Sequence, residues 1–284
     1  MSDGMIALGA LHYDSACRHC HASPGETQSA TVRAMLPAPP HIMDVAIADW
    51  APDELHWIVH NGVKMSGMPA WPAERQDDVW PVVAFLMSVR GMSASDYRDL
   101  TGKPGDSACA MCHGENGVSR NPHVPRLDIL SQTYIENSLR AYLHGARNSG
   151  IMAEAVAAIP EGAIAGVAQR FAGAAAEGRA AASSELARRG RALANEDGTV
   201  DAPACRACHG PWPEPLNQAF PSLAGQHAPY LEAQLRLWRD GARGGGETAK
   251  LMRHAAHDLS NDDIAALAAY YAGLVPAKVN DTRE

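Results

Sequence analysis

The chain is short of aromatic side chains, long apolar runs, basic charge and strand-like alternation, and each shortage narrows what it can be. Aromatics make up 6% of its 284 residues, and phenylalanine contributes three. Modules of about 100 residues bury only a modest core, and few rings are available to fill it. No run of about 18 apolar residues occurs, so no segment reads as a membrane span. Met1 to Ala10 lacks the basic start and the long apolar stretch of a secretory leader. Lys and Arg number 24 against 32 Asp and Glu, a formal charge of −8. That balance offers no basic face to nucleic acid. Strand signals are nearly absent, and the expected fold class is all-α.

Cysteine is absent everywhere except in three copies of one motif. These are Cys17-Arg-His-Cys20-His21, Cys109-Ala-Met-Cys112-His113 and Cys205-Arg-Ala-Cys208-His209. Cys-x-x-Cys-His is the attachment signature of a c-type haem. Two thiols about one helical turn apart can each add to one vinyl group on the same haem edge, and the next histidine reaches the iron. A single copy is also compatible with half a zinc site or a redox dithiol. Here the pairs lie 92 and 96 residues apart, and each is followed at once by His. Neither zinc nor a disulfide framework demands that histidine three times. The expected cofactors are therefore three covalently bound haem c groups, with no cysteine left over.

Three haems divide the chain into modules of 1–93, 94–178 and 179–284. Their Lys/Arg and Asp/Glu counts are 5 and 10, 7 and 9, and 12 and 13, so their charges are −5, −2 and −1. The acidic N-terminal module is the one suited to steering a basic partner, although a solvated surface explains the same charge.

The second and third modules repeat at an offset of 96 residues. Pro125 and Leu127 match Pro221 and Leu223, Tyr134 matches Tyr230, Leu139-Arg140 matches Leu235-Arg236, and Gly145-Ala146-Arg147 matches Gly241-Ala242-Arg243. The first module differs, with a Pro-rich stretch over 36–40. Helical spacing is expected to start near Trp50–Trp57, with Pro in the first turn, and to run over Asp77–Val89, Ser131–His144, Pro229–Asp240 and Asp262–Leu274. Residues 90–106 read as a breaker-rich linker and residues 172–184 as an Ala- and Gly-rich helical one.

His21, His113 and His209 fill one axial position of each iron; the other decides between electron transfer and catalysis. One methionine, Met152, lies between His113 and the next motif, and one, Met252, follows His209, at 39 and 43 residues. Both are expected in loops that fold back over the haem. In the first module Met68, in Gly67-Met68-Pro69-Ala-Trp71, is favoured over Met65, because the proline holds the loop extended. Met43 and Met87 read as core gap-fillers. Histidines compete: His41, His56, His60, His123, His144, His227, His254 and His257 are all available, but none recurs across the repeat. His19 reads as a surface residue. Pro125 and Pro221, each 12 residues past a haem His, are expected to offer the carbonyl that holds its other ring nitrogen. Arg147 and Arg243 are candidates for haem propionates or for ordinary loop packing.

On these features residues 100–275 resemble the diheme cytochrome c4 family, two fused class I cytochrome c domains. Residues 1–93 are similar to class I cytochrome c domains of the Gly-Met-Pro-Ala-Trp type. Two departures stand out: Ala22 replaces the glycine usual after the first haem histidine, and the segment before Cys109 is short. The resemblance implies three tandem class I cytochrome c domains and periplasmic electron transfer, a leader or anchor having been removed. Redox proteins are the implied partners, with a dehydrogenase as donor and an oxidase or another cytochrome as acceptor. A carrier without enzymatic activity, a dedicated cytochrome subunit of a dehydrogenase complex and a multihaem peroxidase are the competing readings.

Overall fold

A computed structural model describes residues 1–44, 47, 49–102, 108–173, 184–195, 204–210, 217, 220–246 and 248–276. The helices, in chain order, are α1 (Asp3–Ala16), α2 (Arg18–His21), α3 (Ala30–Arg33), α4 (Pro52–Asn61), α5 (Trp80–Ser88), α6 (Ala94–Thr101), α7 (Ala108–His113), α8 (Gln132–Leu143), α9 (Gly150–Ala157), α10 (Ile164–Phe171), α11 (Glu185–Asn195), α12 (Cys205–His209), α13 (Ala228–Arg239), α14 (Ala249–Ala256) and α15 (Asn261–Ala272). Among the described residues there is no strand, only an isolated antiparallel bridge between Arg147 and Gly244. The fold is all-α.

Local chemistry sets the helix starts. Ser2 caps α1 by accepting from the Met5 N–H. Pro52 occupies the first turn of α4, where its missing N–H goes unused. Ser260 and Asp263 form a reciprocal capping box at α15. The expected helix over Asp77–Val89 is present in three pieces: a 3₁₀ turn at Asp77–Val79, α5, and a 3₁₀ turn at Val89–Gly91.

Contacts gather the chain into two units: Met1–Cys112 with Ser149–Ala155, and His113–Asn148 with Val156–Glu284. In the first unit α1 packs on α5 and α6 around Ala10, Tyr13, Ile42, Phe85, Val89 and Tyr97. Tyr13 meets Phe85 at 5.1 Å and Tyr97 edge-on at 6.5 Å between ring centroids. In the second, α11 crosses α15 over a core of Ala194, Leu231, Leu267, Ala268 and Tyr271, and α8 packs on α10. Both principal crossings need a glycine. A Cβ on Gly9 would lie 1.9 Å from the Pro81 carbonyl oxygen, and one on Gly190 would lie 1.9 Å from that of Ala266.

Three expectations need correction. The stretch 90–106 is not simply a linker: α6 lies within it, begun by a Ser93–Asp96 capping box, and buries Tyr97 against α1. The capping pair outweighs the breakers on either side. Met43 and Met87 are 37% and 43% exposed rather than core-filling. Met152 and Met252 lie in the short helices α9 and α14, not in loops. Of the expected linker helix over 172–184, residues 174–183 lie outside the described residues.

Candidate functional site

Each Cys-x-x-Cys-His motif ends a short helix, α2, α7 or α12. Helical spacing puts cysteines three residues apart on one face. None of the six cysteines is in a disulfide, and all are half-buried. Burial pushes the Cys17 thiol up to about 12 and the Cys112 thiol up to about 11. A redox dithiol needs the opposite shift. Among the described residues no three His, Cys, Asp or Glu side chains converge as a metal site.

The three motif histidines share one arrangement. His21 Nδ1 lies 2.8 Å from the Pro40 carbonyl oxygen, His113 Nδ1 3.0 Å from that of Pro125, and His209 Nδ1 2.9 Å from that of Pro221. A carbonyl only accepts, so Nδ1 donates in each case, and Nε2 keeps the lone pair a metal requires. Pro125 and Pro221 were legible from the repeat. Pro40 was not, because it stands 19 residues past His21 instead of 12; the Pro-rich stretch was its only signal. His113 and His209 are buried, and desolvation lowers the pKa of both rings while the proline carbonyl opposes the shift. Burial thus favours the neutral ring, the form in which an imidazole can bind a metal.

At the third motif a methionine meets the motif histidine. Met252 Sδ lies 3.3 Å from His209 Nε2. A thioether is too weak an acceptor to explain that convergence of a buried imidazole lone pair. The pair brings together an imidazole nitrogen and a soft thioether sulfur, both of which could ligate a haem iron, with Cys205 and Cys208 on the same short helix as His209.

The first unit offers a comparable loop. Met68 is half-buried, with its N–H on Ser66 Oγ at 3.1 Å and its carbonyl on the Val63 N–H at 3.2 Å. Met65 is 99% exposed at a positive φ of 61°. His60 Nε2 and Trp71 Nε1 are buried with no hydrogen-bond partner, while the backbone N–H of Trp71 donates to the His60 carbonyl at 2.9 Å. Two such orphaned polar atoms suit a polar group supplied from outside the chain. Several competing histidines are committed elsewhere. His41, His56 and His227 each direct Nε2 at a backbone carbonyl, of Glu26, Gln76 and Ser119, at 2.7–2.9 Å. His19 is exposed.

Ala22, Gly114 and Gly210 directly follow the three motif histidines, with φ of 56°, 79° and 73°. The turn needs a left-handed residue, and Ala22 adopts it with a side chain that disfavours it. Tyr13 OH donates to the Ala22 carbonyl at 2.5 Å and holds the turn.

Arg147 and Arg243 tie the two repeats together. Arg147 donates to Ser138 Oγ at 3.1 Å and to Tyr230 OH at 3.3 Å; Arg243 donates to Gln234 Oε1 at 2.6 Å and to Tyr134 OH at 3.3 Å. Each guanidinium also lies over a ring, Tyr142 at 4.6 Å and Trp238 at 4.4 Å. Every one of these positions obeys the 96-residue offset. Burial by itself would raise the Tyr134 phenol, but the two arginines outweigh it and hold the group below its usual value. Sequence reading matched Tyr134 to Tyr230 without foreseeing that each would receive the other repeat's arginine.

A helical chain whose Cys-x-x-Cys-His helices present carbonyl-oriented imidazoles, one of them opposed by a methionine, is a c-type cytochrome, the class that carries covalently bound haem c. Comparison with known proteins gives the same class and narrows it. Residues 4–86 match the family described as cytochrome c oxidase, cbb3-type, subunit III, and residues 187–274 match cytochrome c. The thiosulfate dehydrogenase electron acceptor of Stutzerimonas stutzeri is 34% identical over 211 residues, 69% of this chain and 94% of that protein. Cytochrome c4 of Pseudomonas aeruginosa is 32% identical over 194 residues, 66% of this chain and 94% of its own. The crystal structure of reduced cytochrome c4 from Pseudomonas stutzeri superposes with a TM-score of 0.51 at 32% identity, over 58% of this chain and 93% of that one. The chain belongs to the cytochrome c4-like family of electron-transfer cytochromes.

Proposed function

We propose that the chain is a three-haem electron carrier of the periplasm, with modules over 1–93, 94–178 and 179–284. Cys17 and Cys20, Cys109 and Cys112, and Cys205 and Cys208 hold the three haems. His21 with Met68, His113 with Met152, and His209 with Met252 provide the axial ligands. Pro40, Pro125 and Pro221 orient the histidines. The apposition of Met252 Sδ and His209 Nε2 at 3.3 Å is the observation that carries this reading. When bound, the iron supplies one-electron chemistry between its ferrous and ferric states. The residues around it fix the imidazole tautomer, exclude water and supply a soft sulfur that favours the reduced form and raises the potential. Such a carrier suits a dehydrogenase donor and a high-potential respiratory acceptor such as a terminal oxidase or another cytochrome.

A second reading is a dedicated cytochrome subunit of a dehydrogenase complex. The 34% identity to a protein named as an electron acceptor of thiosulfate dehydrogenase favours it. A haem count per chain combined with spectroelectrochemical titration tests the first reading. Three haems, each of high potential and slow to bind carbon monoxide when reduced, are expected. Fewer than three haems would refute the assignment, and an open iron in the untreated protein would point to a peroxidase-type enzyme. A dehydrogenase that copurifies at fixed stoichiometry would decide for the subunit.

A further inference from the structure

We infer that Asp78 is a positioning residue for Met152, so that ligation of the second haem is held in place from within the first haem module. The inference rests on Met152 being an axial ligand, as proposed above.

The segment that carries Met152 belongs by sequence to the second module, yet residues 149–155 gather with residues 1–112 into one compact unit. A buried carboxylate anchors it. Asp78 is 7% exposed, and its Oδ2 accepts from Ser149 Oγ at 3.1 Å and from the Ile151 N–H at 3.2 Å. Ser149 Oγ in turn accepts from the Met152 N–H at 3.3 Å. The chain of bonds therefore runs from Asp78 through Ser149 to the backbone of the ligand itself. A carboxylate at the start of a helix also meets the positive end of its dipole.

Two further contacts make this a built site rather than an ordinary cap. Arg75 Nη2 lies 3.6 Å from Asp78 Oδ1 and is itself bound to Asp77 at 2.7 Å, which keeps a charge partner beside the buried acid. Gly150 sits against Trp71, where a Cβ would fall 2.2 Å from the indole Nε1. Only glycine lets α9 come so close to the ring. Among the described residues the helix of Met252 has no equivalent: Thr248, which precedes α14, makes no side-chain cap bond. The difference between the two repeats thus falls on the methionine whose segment lies against the added N-terminal module. Burying a carboxylate is unfavourable unless its bonds are satisfied, and the bonds from Ser149 and Ile151 both come from the start of α9.

Losing the two hydrogen bonds that a buried carboxyl accepts raises the open population on the order of ten- to a hundredfold. The test uses haem-loaded full-length protein. It measures carbon monoxide capture by the reduced form and the methionine–iron charge-transfer absorbance of the ferric form. Asp78→Ala is expected to speed carbon monoxide capture at one haem per chain by roughly ten- to a hundredfold. Asp78→Asn, which keeps an acceptor oxygen, should recover part of the loss, and Ser149→Ala should reproduce part of it. Combining Asp78→Ala with Met152→Ala should open no haem beyond that opened by Met152→Ala, whereas adding Met68→Ala should open another. The inference is overturned if Met152→Ala opens a haem while Asp78→Ala and Ser149→Ala leave both readouts unchanged. It is overturned equally if Asp78→Ala opens the Met68 haem, since the residue then supports its own module only. If Met152→Ala itself changes nothing, the ligand assignment has failed. Should Asp78→Ala not fold, Ser149→Ala, which leaves Asp78 and Arg75 in place, decides between these outcomes.

Discussion

Gly190→Ala should destabilise the part of the chain that carries the third Cys-x-x-Cys-His motif, although alanine is the better helix former. Gly190 lies in α11 where that helix crosses α15. The new Cβ would stand 1.9 Å from the Ala266 carbonyl oxygen, 2.5 Å from its carbon and 2.8 Å from Tyr270 Cβ, whereas ordinary contact begins at 3.4 Å. The first two atoms are backbone and cannot rotate away, so the helices must part by about 1.5 Å at the crossing, the gap between 1.9 and 3.4 Å. That loosens the packing around Ala194, Leu267, Ala268 and Tyr271, all nearly inaccessible to solvent. Overpacking of this kind costs about 1–3 kcal/mol and more where the backbone must move; the helix preference of alanine returns about 1 kcal/mol. A net loss of ~2 kcal/mol corresponds to a fall of roughly 10 °C in the melting temperature of a module of this size. Gly166→Ala is the internal control. It lies exposed in α10 with nothing within 4 Å of its would-be Cβ, so it should stabilise by up to about 1 kcal/mol. Thermal and urea denaturation of the haem-loaded variants measure both. If Gly190→Ala is neutral, or moves in the same direction as Gly166→Ala, the close crossing is wrong.

Met252→Ala should lower the potential of one haem and open it to carbon monoxide; an unchanged spectrum and potential would remove Met252 from the iron. His12 is 4% exposed against Trp71, and burial lowers its pKa from 6.5 to about 4. Below pH 6.5 the unfolded chain takes up a proton that the folded ring refuses, so stability falls from pH 6.5 to about 4, by up to ~3 kcal/mol. Urea denaturation at pH 7 and in mild acid should show a smaller acid loss in His12→Gln than in the parent chain; equal losses would rule His12 out as the cause. Ala22→Gly exchanges about 1–3 kcal/mol of backbone strain for a lost buried methyl of ~0.8 kcal/mol and added freedom in the unfolded chain. It should leave stability level or slightly higher. Gly210→Ala, at φ 73°, should lose ~1–3 kcal/mol. Matching losses in the two melts would show that the first turn is not strained.

Much of the candidate site is local chemistry and was therefore legible. Cysteine and histidine spacing within one helical turn predicts the attachment helices, and the repeat pointed to Pro125 and Pro221 because a fixed offset preserves backbone geometry. Met252 followed from there being one methionine after His209. Pro40 escaped because its loop has another length. Asp78 escaped because nothing in Arg75-Gln-Asp-Asp78 distinguishes a buried cap for a distant helix from a solvated acidic pair. The exposure of Met43 and Met87 escaped for a related reason: hydrophobicity predicts that a methionine can be buried, not that a cavity waits for it. The helix within 90–106 was hidden because glycine and proline on both sides masked a Ser-x-x-Asp capping box.

The sequence by itself determined the haem chemistry, the all-α class and the kinship of the second and third motifs, because these depend on residue identity and on spacings of a few residues. Tertiary structure alone decided which side chains separated by 70 to 110 residues meet. It set Arg147 on Tyr230 and Arg243 on Tyr134, brought Gly190 onto Ala266, and placed the segment of Met152 on Asp78. Long-range pairs are selected by packing and by the need to satisfy buried polar groups, and neither leaves a mark in local sequence. The three motifs share one spacing; the surroundings of Met68, Met152 and Met252 differ because different parts of the fold hold them.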